Sequence, residues 1–178
     1  SDFLFSKSDP FLTLARSIVG QQISVKAAQA VWDRLELKCL KINPKTISET
    51  HYMKLKSCGL SKQKIFYLKN LSNAFIKKNL SPKKWENEND NEKIIEDLTY
   101  IKGIGRWTAE MYLIFNLCKP DVLPLDDIGM IKGLCKCYNL DYPINRNQII
   151  KISEKWKPYR SVATWYLWRS LDPIPVEY

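Results

Sequence analysis

A glycine-containing turn between two helical patterns is the feature that most limits what this chain can fold into. The turn is Lys102-Gly103-Ile104-Gly105, and it follows the apolar segment Leu98–Ile101. Its glycines permit positive φ angles and a close approach of the backbone to another molecule. From Arg106 onward, apolar residues recur at α-helical spacing: Trp107, Met111, Ile114 and Phe115. The pattern predicts a helical hairpin whose amides, at the start of the second helix, form an anion-binding site.

A G-x-G sequence alone is more often an ordinary turn between helices. The second signal here is the segment Pro124-Leu125-Asp126-Asp127-Ile128-Gly129, which precedes another helical pattern. One carboxylate at a helix start is explained as an N-cap that accepts a hydrogen bond from a first-turn amide. A helix start needs only one such cap, so the other carboxylate is available for chemistry. Both aspartates fit the helix start, so the residues alone do not say which has which role.

The net charge of +9 is high for 178 residues, and it is unevenly distributed. Residues 86–97 contain six carboxylates and one lysine, a net charge of −5, so the rest of the chain carries +14. Such a surface favours phosphate backbones or anionic membranes. No apolar run approaches the roughly 20 residues that span a bilayer, and no signal peptide begins the chain. A polyanion such as DNA is therefore the expected partner, in the cytoplasm (nucleoid) or nucleus, and secretion is not expected.

Cysteine and histidine usage excludes several classes of site. The five cysteines form no C-x-x-C pair and the number is odd, which favours reduced thiols in an intracellular protein. The only histidine is His51, which lies in a polar stretch that is predicted to be helical. A histidine-based metal site and a Ser-His-Asp triad are therefore not expected.

Helical periodicity and helix-start signals account for most of the chain. Neither an alternating strand pattern nor an internal repeat is evident, so the predicted fold class is all-α. A break at Ser81-Pro82 and an acidic, asparagine-rich linker separate two groups of helices. The predicted helices begin at Asp9-Pro10, at Ser24, after Asn43-Pro44, at Ser61, before Ile94, at Arg106, at Asp127, at Asn145 or Asn147, and at Pro158.

Taken together, the hairpin and the acidic pair resemble the helix-hairpin-helix Gly/Pro/Asp (HhH-GPD) superfamily of DNA glycosylases, most closely the 3-methyladenine DNA glycosylase II branch. Two further segments match in the family's order: Val19–Ser24, after Asp9-Pro10-Phe11, and Trp156–Ser161. The resemblance implies two helical lobes flanking a DNA-lesion cleft, in one domain over 1–178 with the helix-hairpin-helix at about 94–117. It also implies a monofunctional glycosylase that releases alkylated purines in base excision repair.

The resemblance assigns roles to individual residues. The family's catalytic aspartate matches Asp127, which leaves Asp126 as the helix cap. The residue that fills the gap left by a flipped-out base matches Gln22, although Gln21 and Gln22 would equally serve to bond loop backbone. Phosphate would be bound by the amides of Gly103 and Gly105 and by Lys102. A Na⁺ or K⁺ ion, the only metal implied, would lie on the carbonyl oxygens of Thr99, Ile101 and Ile104.

The resemblance also places the base pocket at Trp107, Met111 and Trp168. Aromatic faces attract an electron-poor alkylated base, although a tryptophan on a helical stripe is often a core residue. Met111 stands where relatives have tyrosine. Trp107 occupies the position of the Schiff-base lysine of bifunctional relatives, and an indole forms no imine. The chain lacks the four-cysteine loop of iron–sulfur members, so no cluster and no required cofactor are expected.

The expected partner is double-stranded DNA with one flipped damaged base, bound by a monomer. Two alternatives stay open at this point. One is a non-catalytic helix-hairpin-helix DNA-binding module, which the acidic pair and Trp107 argue against. The other is a glycosylase for oxidised or mismatched bases, which the pocket aromatics disfavour only in part.

Overall fold

The fold is all-α in the part of the chain that the computed structural model describes, residues 9–77, 80 and 82–171. No strand occurs within these ranges. The helices are α1 (Pro10–Gly20), α2 (Val25–Cys39), α3 (Pro44–Glu49), α4 (Tyr52–Lys56), α5 (Lys62–Ile76), α6 (Pro82–Glu86), α7 (Asn91–Thr99), α8 (Arg106–Phe115), α9 (Ile128–Tyr138), α10 (Arg146–Ser153) and α11 (Arg160–Leu171), with a 3₁₀ turn at Glu154–Trp156.

Short-range capping explains where several of these helices begin. Asp9 accepts a hydrogen bond from the amide of Leu12 at 3.1 Å, with proline at the first helical position. Ser24 and Ser61 cap α2 and α5 in the same way, each through an amide three residues later at 3.2 Å. These three predicted starts are confirmed.

Two hydrophobic clusters divide the helices into two lobes. The larger core is formed by α1 to α8 and includes Leu14, Trp32, Leu68 and Tyr112. The smaller core lies between α9, α10 and α11, around Met130, Leu134, Ile149 and Leu167. The predicted two-lobed architecture is therefore confirmed.

Close packing of α9 on α11 holds the smaller lobe together. A Cβ atom at Gly133 would lie 2.5 Å from the carbonyl oxygen of Leu167, so only glycine allows this approach. At the other end of α11, the carboxylate of Asp121 accepts hydrogen bonds from the Arg160 side chain (2.6 and 2.8 Å) and from the Arg160 amide (3.2 Å). This pair anchors α11 to the loop that precedes Asp126 and Asp127.

The structure corrects two predicted helices and the predicted linker. The region after Asn43-Pro44 forms two short helices, and His51 caps the second by accepting from the Met53 amide at 3.2 Å. The predicted linker contains a short helix, α6. Its buried residue Trp85 donates a hydrogen bond to Asp97 at 2.9 Å, and this bond holds the helix in place. The last helix begins at Arg160 rather than Pro158, because Asp121 receives the Arg160 amide. The predicted break at Ser81 lies outside the described residues.

None of the helices within the described residues has both the length and the apolar character needed to cross a bilayer.

Candidate active site between the two lobes

Asp127 lies where the two lobes meet, and it is the N-cap of α9. Its Oδ1 atom accepts hydrogen bonds from the Met130 amide (2.5 Å) and from the Trp168 indole (2.8 Å). Its Oδ2 atom accepts a third from the Trp107 indole at 2.8 Å. The side chain is only 8% exposed. Three donors and the positive end of a helix dipole thus hold one carboxylate in a single orientation.

The assignment of Asp126 as the helix cap is wrong. Its side chain is exposed and forms an ion pair with Arg146 at 2.7 Å. A turn closed by the Asp127 amide and the Pro124 carbonyl (3.0 Å) places Asp126 outside the helix start. One residue, Asp127, therefore provides both the cap and the buried carboxylate that the sequence assigned to separate residues.

The two tryptophans come from different lobes. Trp107 is in the first turn of α8, and Trp168 is near the end of α11, where it stacks on Phe115 with ring centroids 5.7 Å apart and an interplanar angle of 14°. A Cβ atom at Gly129 would come within 3.1 Å of the Trp168 ring, so glycine makes room for it. Both indoles are half-buried. Their hydrogen bonds to Asp127 are an arrangement that the sequence did not indicate.

The prediction that Met111 lines the base pocket is wrong, because this side chain is buried in the protein core. It is 1% exposed and belongs to the larger hydrophobic core. It lies one helical turn after Trp107 but faces the packed side of α8, so it has almost no surface to offer a ligand. Its neighbour Tyr112 is also fully buried, against Trp85.

The hairpin between α7 and α8 requires glycine at position 103. Gly103 has a φ of +102°, and a Cβ atom there would lie 2.3 Å from Cγ of Tyr67. Gly105 differs: it is the N-cap of α8 with a φ of −87°, and a Cβ atom there would meet no described atom within 4 Å. Gly105 and Lys102 are both exposed, so an approaching ligand would meet this side of the hairpin.

The loop that carries Gln22 lies against this hairpin. Gln22 is exposed and has a φ of +58°, in the left-handed region that a non-glycine residue rarely adopts. The side chain of Gln21 donates from Nε2 to the carbonyl oxygen of Gly103 at 2.9 Å. The two glutamines therefore differ: one bonds backbone, as the alternative interpretation expected, and the other projects from the loop.

Glu110, which the sequence analysis missed, is a buried carboxylate one turn after Trp107. It is 3% exposed, and its Oε1 atom accepts from Nε of Arg106 at 3.0 Å, while Oε2 has no hydrogen-bond partner among the described residues. Burial raises the pKa of Glu110 to about 7, against the opposing effect of Arg106. Arg106 also pairs with exposed Glu92 at 2.6 Å. A glutamate four residues after an arginine on a helix is common, so the sequence contained no specific signal.

The carbonyl oxygens of Thr99, Ile101 and Ile104 all lie at the turn between α7 and α8. Carbonyl oxygens suit hard cations. The Ile101 oxygen accepts a hydrogen bond from the Ile104 amide at 3.0 Å, which leaves it one lone pair. In the described residues no group of His, Cys, Asp or Glu side chains is arranged to bind a metal.

The all-α fold, the helical hairpin between α7 and α8 and the buried aspartate that follows it define a helix-hairpin-helix protein. The family model described as "HhH-GPD superfamily base excision DNA repair protein" matches residues 15–158. The chain therefore belongs to the HhH-GPD superfamily, as the motifs predicted.

Similar proteins agree with this membership. DNA-3-methyladenine glycosylase 1 of Schizosaccharomyces pombe is 39% identical over 170 residues, covering 92% of this chain and 73% of that protein. The solved structure of the S. pombe 3-methyladenine DNA glycosylase in complex with abasic DNA matches with a TM-score of 0.84 and 34% identity, over 95% of this chain and 84% of the other. The DNA-3-methyladenine glycosidase of Bacillus halodurans matches with a TM-score of 0.85 and 33% identity, over 97% and 79%.

Proposed function

We propose that this protein is a monofunctional DNA glycosylase that hydrolyses the N-glycosidic bond of alkylated purines of the 3-methyladenine type in base excision repair. The observation that carries the proposal is the Asp127 carboxylate, fixed by two indole donors and an amide at the junction of the lobes. Relatives named DNA-3-methyladenine glycosylases support the substrate class. A basic chain of net charge +9 suits a DNA partner.

Cleavage of the N-glycosidic bond requires a negative charge that is held in a fixed position. When the C1′–N bond breaks, its electron pair leaves with the base and positive charge develops on the deoxyribose. A carboxylate held in advance stabilises that charge without having to reorient. Water then adds to C1′ and loses a proton, which leaves an abasic site. An alkylated purine that is already cationic departs as a neutral base, so the leaving group needs little acid assistance.

The hydrogen bonds of Asp127 leave one direction open for this role. A carboxylate oxygen accepts about two hydrogen bonds. Oδ1 already accepts two, from Met130 and Trp168, whereas Oδ2 accepts one, from Trp107. Oδ2 is therefore the atom available to the sugar or to the attacking water.

Access to the base requires that the nucleotide leave the duplex, at a cost of a few kcal/mol. We assign Gln22 as the residue that fills the vacated space, since it is exposed on a loop beside the hairpin. The amides of Gly103 and Gly105 and the ammonium of Lys102 would hold a phosphate. A Na⁺ or K⁺ ion on the Thr99, Ile101 and Ile104 carbonyl oxygens would add positive charge there.

Alkylated bases would stack on Trp107 and Trp168, whose indole N–H groups are turned to Asp127. Because Trp107 offers no amine, the sugar should not become an imine, and the strand should stay intact until it is treated with hot alkali. No cofactor beyond the structural ion would be needed. We further propose that the protein acts as a monomer on DNA in the cytoplasm (nucleoid) or nucleus.

The two alternatives make different demands on the site. A non-catalytic DNA-binding module has no need of a buried carboxylate with three donors, so the geometry favours an enzyme. A glycosylase for oxidised or mismatched bases would use the same aspartate. Base release from a methylated duplex, scored by which base appears, distinguishes these substrates.

Asp127→Asn is the test of the catalytic assignment. Asparagine caps helices about as well as aspartate, so the fold should persist. Its single oxygen can keep the Met130 and Trp168 contacts, but the negative charge and the acceptor for the Trp107 indole are lost. Base release should fall at least about 100-fold, while binding to an abasic duplex persists. The matched control is Asp126→Asn, which removes an exposed ion pair and should release bases at close to the wild-type rate. The opposite pattern would reverse the assignment within the pair, and release by neither variant nor the wild type would remove the proposed activity.

A further inference from the structure

We infer that Gln21 is a positioning residue for base extrusion, because its side chain ties the loop that carries Gln22 to the hairpin that would hold the phosphate. The inference rests on the proposed function. Residues 20–23 are called the wedge loop here, and residues 100–105 are the hairpin. The bond in question is the 2.9 Å hydrogen bond from Nε2 of Gln21 to the carbonyl oxygen of Gly103, which joins segments 82 residues apart in sequence.

The wedge loop has little backbone bonding of its own. Two backbone hydrogen bonds hold it locally, from Gln21 N to Ile18 O of α1 and from Ile23 N to Gly20 O, and both are long, at 3.3 and 3.4 Å. The bond that reaches it from another part of the fold is shorter and therefore stronger: it is the Gln21 bond, at 2.9 Å. Just before the loop, Lys64 of α5 donates a hydrogen bond to the Val19 carbonyl oxygen at 2.7 Å.

The backbone of Gln22 adds to this dependence. Its φ of +58° is in a region that non-glycine residues avoid, so the conformation persists only where surrounding contacts maintain it. Gln21, the residue next to it, is half-buried and supplies one of those contacts. Losing the Gln21 bond should let the loop relax and move Gln22.

The hairpin end of the bond is rigid. Gly103 is fixed at a φ of +102° with Tyr67 packed against it, and the Tyr67 hydroxyl accepts a hydrogen bond from Gln63 at 2.5 Å. Through Gln21, a hairpin docked on a phosphate thus sets the distance at which Gln22 enters the base stack. The positioning role of Gln21 should therefore matter when the base that leaves the duplex is stacked and paired. A base whose pairing is already lost should need it much less.

The test compares single-turnover base release by wild type and Gln21→Met on two duplexes. In one the methylated purine is paired normally, and in the other it lies opposite an abasic site. Methionine keeps the length of the side chain and removes the donor. The loss of one hydrogen bond should slow release from the paired duplex about three- to tenfold, with less than a twofold change on the unpaired substrate.

A double-mutant cycle tests whether Gln21 acts through Gln22. In a Gln22→Ala background, Gln21→Met should have no further effect, because the residue that it positions is already gone. The matched control is Gln29→Met on α2, where the glutamine bonds Asp33 of its own helix at 2.6 Å, and it should behave as wild type on both substrates.

Other outcomes overturn the inference in distinguishable ways. Equal slowing on both duplexes would show a structural role only, as would a multiplicative effect of the two substitutions. An unchanged rate for Gln21→Met would show that the bond is dispensable. A wild-type protein that releases no base from either duplex would instead defeat the proposed function.

Discussion

Replacement of Glu110 by glutamine should make the protein more stable at alkaline pH and leave it little changed at acidic pH. The carboxylate is 3% exposed, and one of its oxygens has no hydrogen-bond partner within the part of the chain that the structure describes. Glutamine has nearly the same shape, and its Oε1 atom can still accept from Arg106 Nε, now 3.0 Å from the carboxylate. The substitution therefore removes an ionisation and little else.

The magnitude follows from the pKa of Glu110. Burial raises it from 4.5 to about 7, with smaller contributions of the same sign from Asp126 and Glu92 and an opposing attraction to Arg106. Below pH 4.5 the folded and unfolded states both hold the proton, and the stabilisation is complete. As the pH rises through 7 the folded state loses the proton as well, and the stabilisation is lost. At about 1.4 kcal/mol per pH unit, the loss is about 3 kcal/mol.

Urea unfolding followed by tryptophan fluorescence, at about pH 5 and about pH 8, measures this effect. The stability of Glu110→Gln relative to wild type should increase by up to about 3 kcal/mol between the two conditions. Glu92→Gln is the matched control, since Glu92 is the exposed partner of the same arginine and this hydrogen bond lowers its pKa. That variant should change little, and in the opposite direction. A difference between Glu110→Gln and wild type that stays constant with pH would refute the reasoning.

Three further predictions concern the hairpin and the basic surface that are proposed to contact DNA. Gly103→Ala should destabilise the protein by roughly 2–4 kcal/mol, because the new Cβ would lie 2.3 Å from Cγ of Tyr67 at a φ of +102°. Gly105→Ala, where a Cβ meets nothing within 4 Å, should keep its melting temperature and weaken binding to an abasic duplex; equal melting losses would contradict this. Affinity for that duplex should also fall with salt at a log–log slope of about −0.9 per phosphate contacted. A flat response would show that the basic surface is not where DNA binds.

Features determined by neighbours in sequence were the predictable part of this protein. The starts of α1, α2 and α5 follow from Asp9, Ser24 and Ser61, because an N-cap bonds an amide only three residues away. The helical hairpin follows from two glycines between two apolar patterns. The same reasoning failed for Asp126 because a single tight turn decides which of two adjacent residues caps a helix. It missed α6 because that short helix depends on Trp85 reaching Asp97 across the fold.

The geometry of the site could not be predicted from local sequence patterns, because its contacts join distant parts of the chain. The two indoles that hold the Asp127 carboxylate are 20 and 41 positions away along the chain, on helices of different lobes. The motif marked Trp107 and Trp168 as surfaces for a base, and only the packing of α8 and α11 reveals them as donors to the carboxylate. The donors leave Oδ2 as the oxygen with a free lone pair, so the packing of α8 and α11 also fixes the direction of the charge. A variant in which these two helices packed less closely would keep every motif residue and still lose the fixed charge that the proposed mechanism requires.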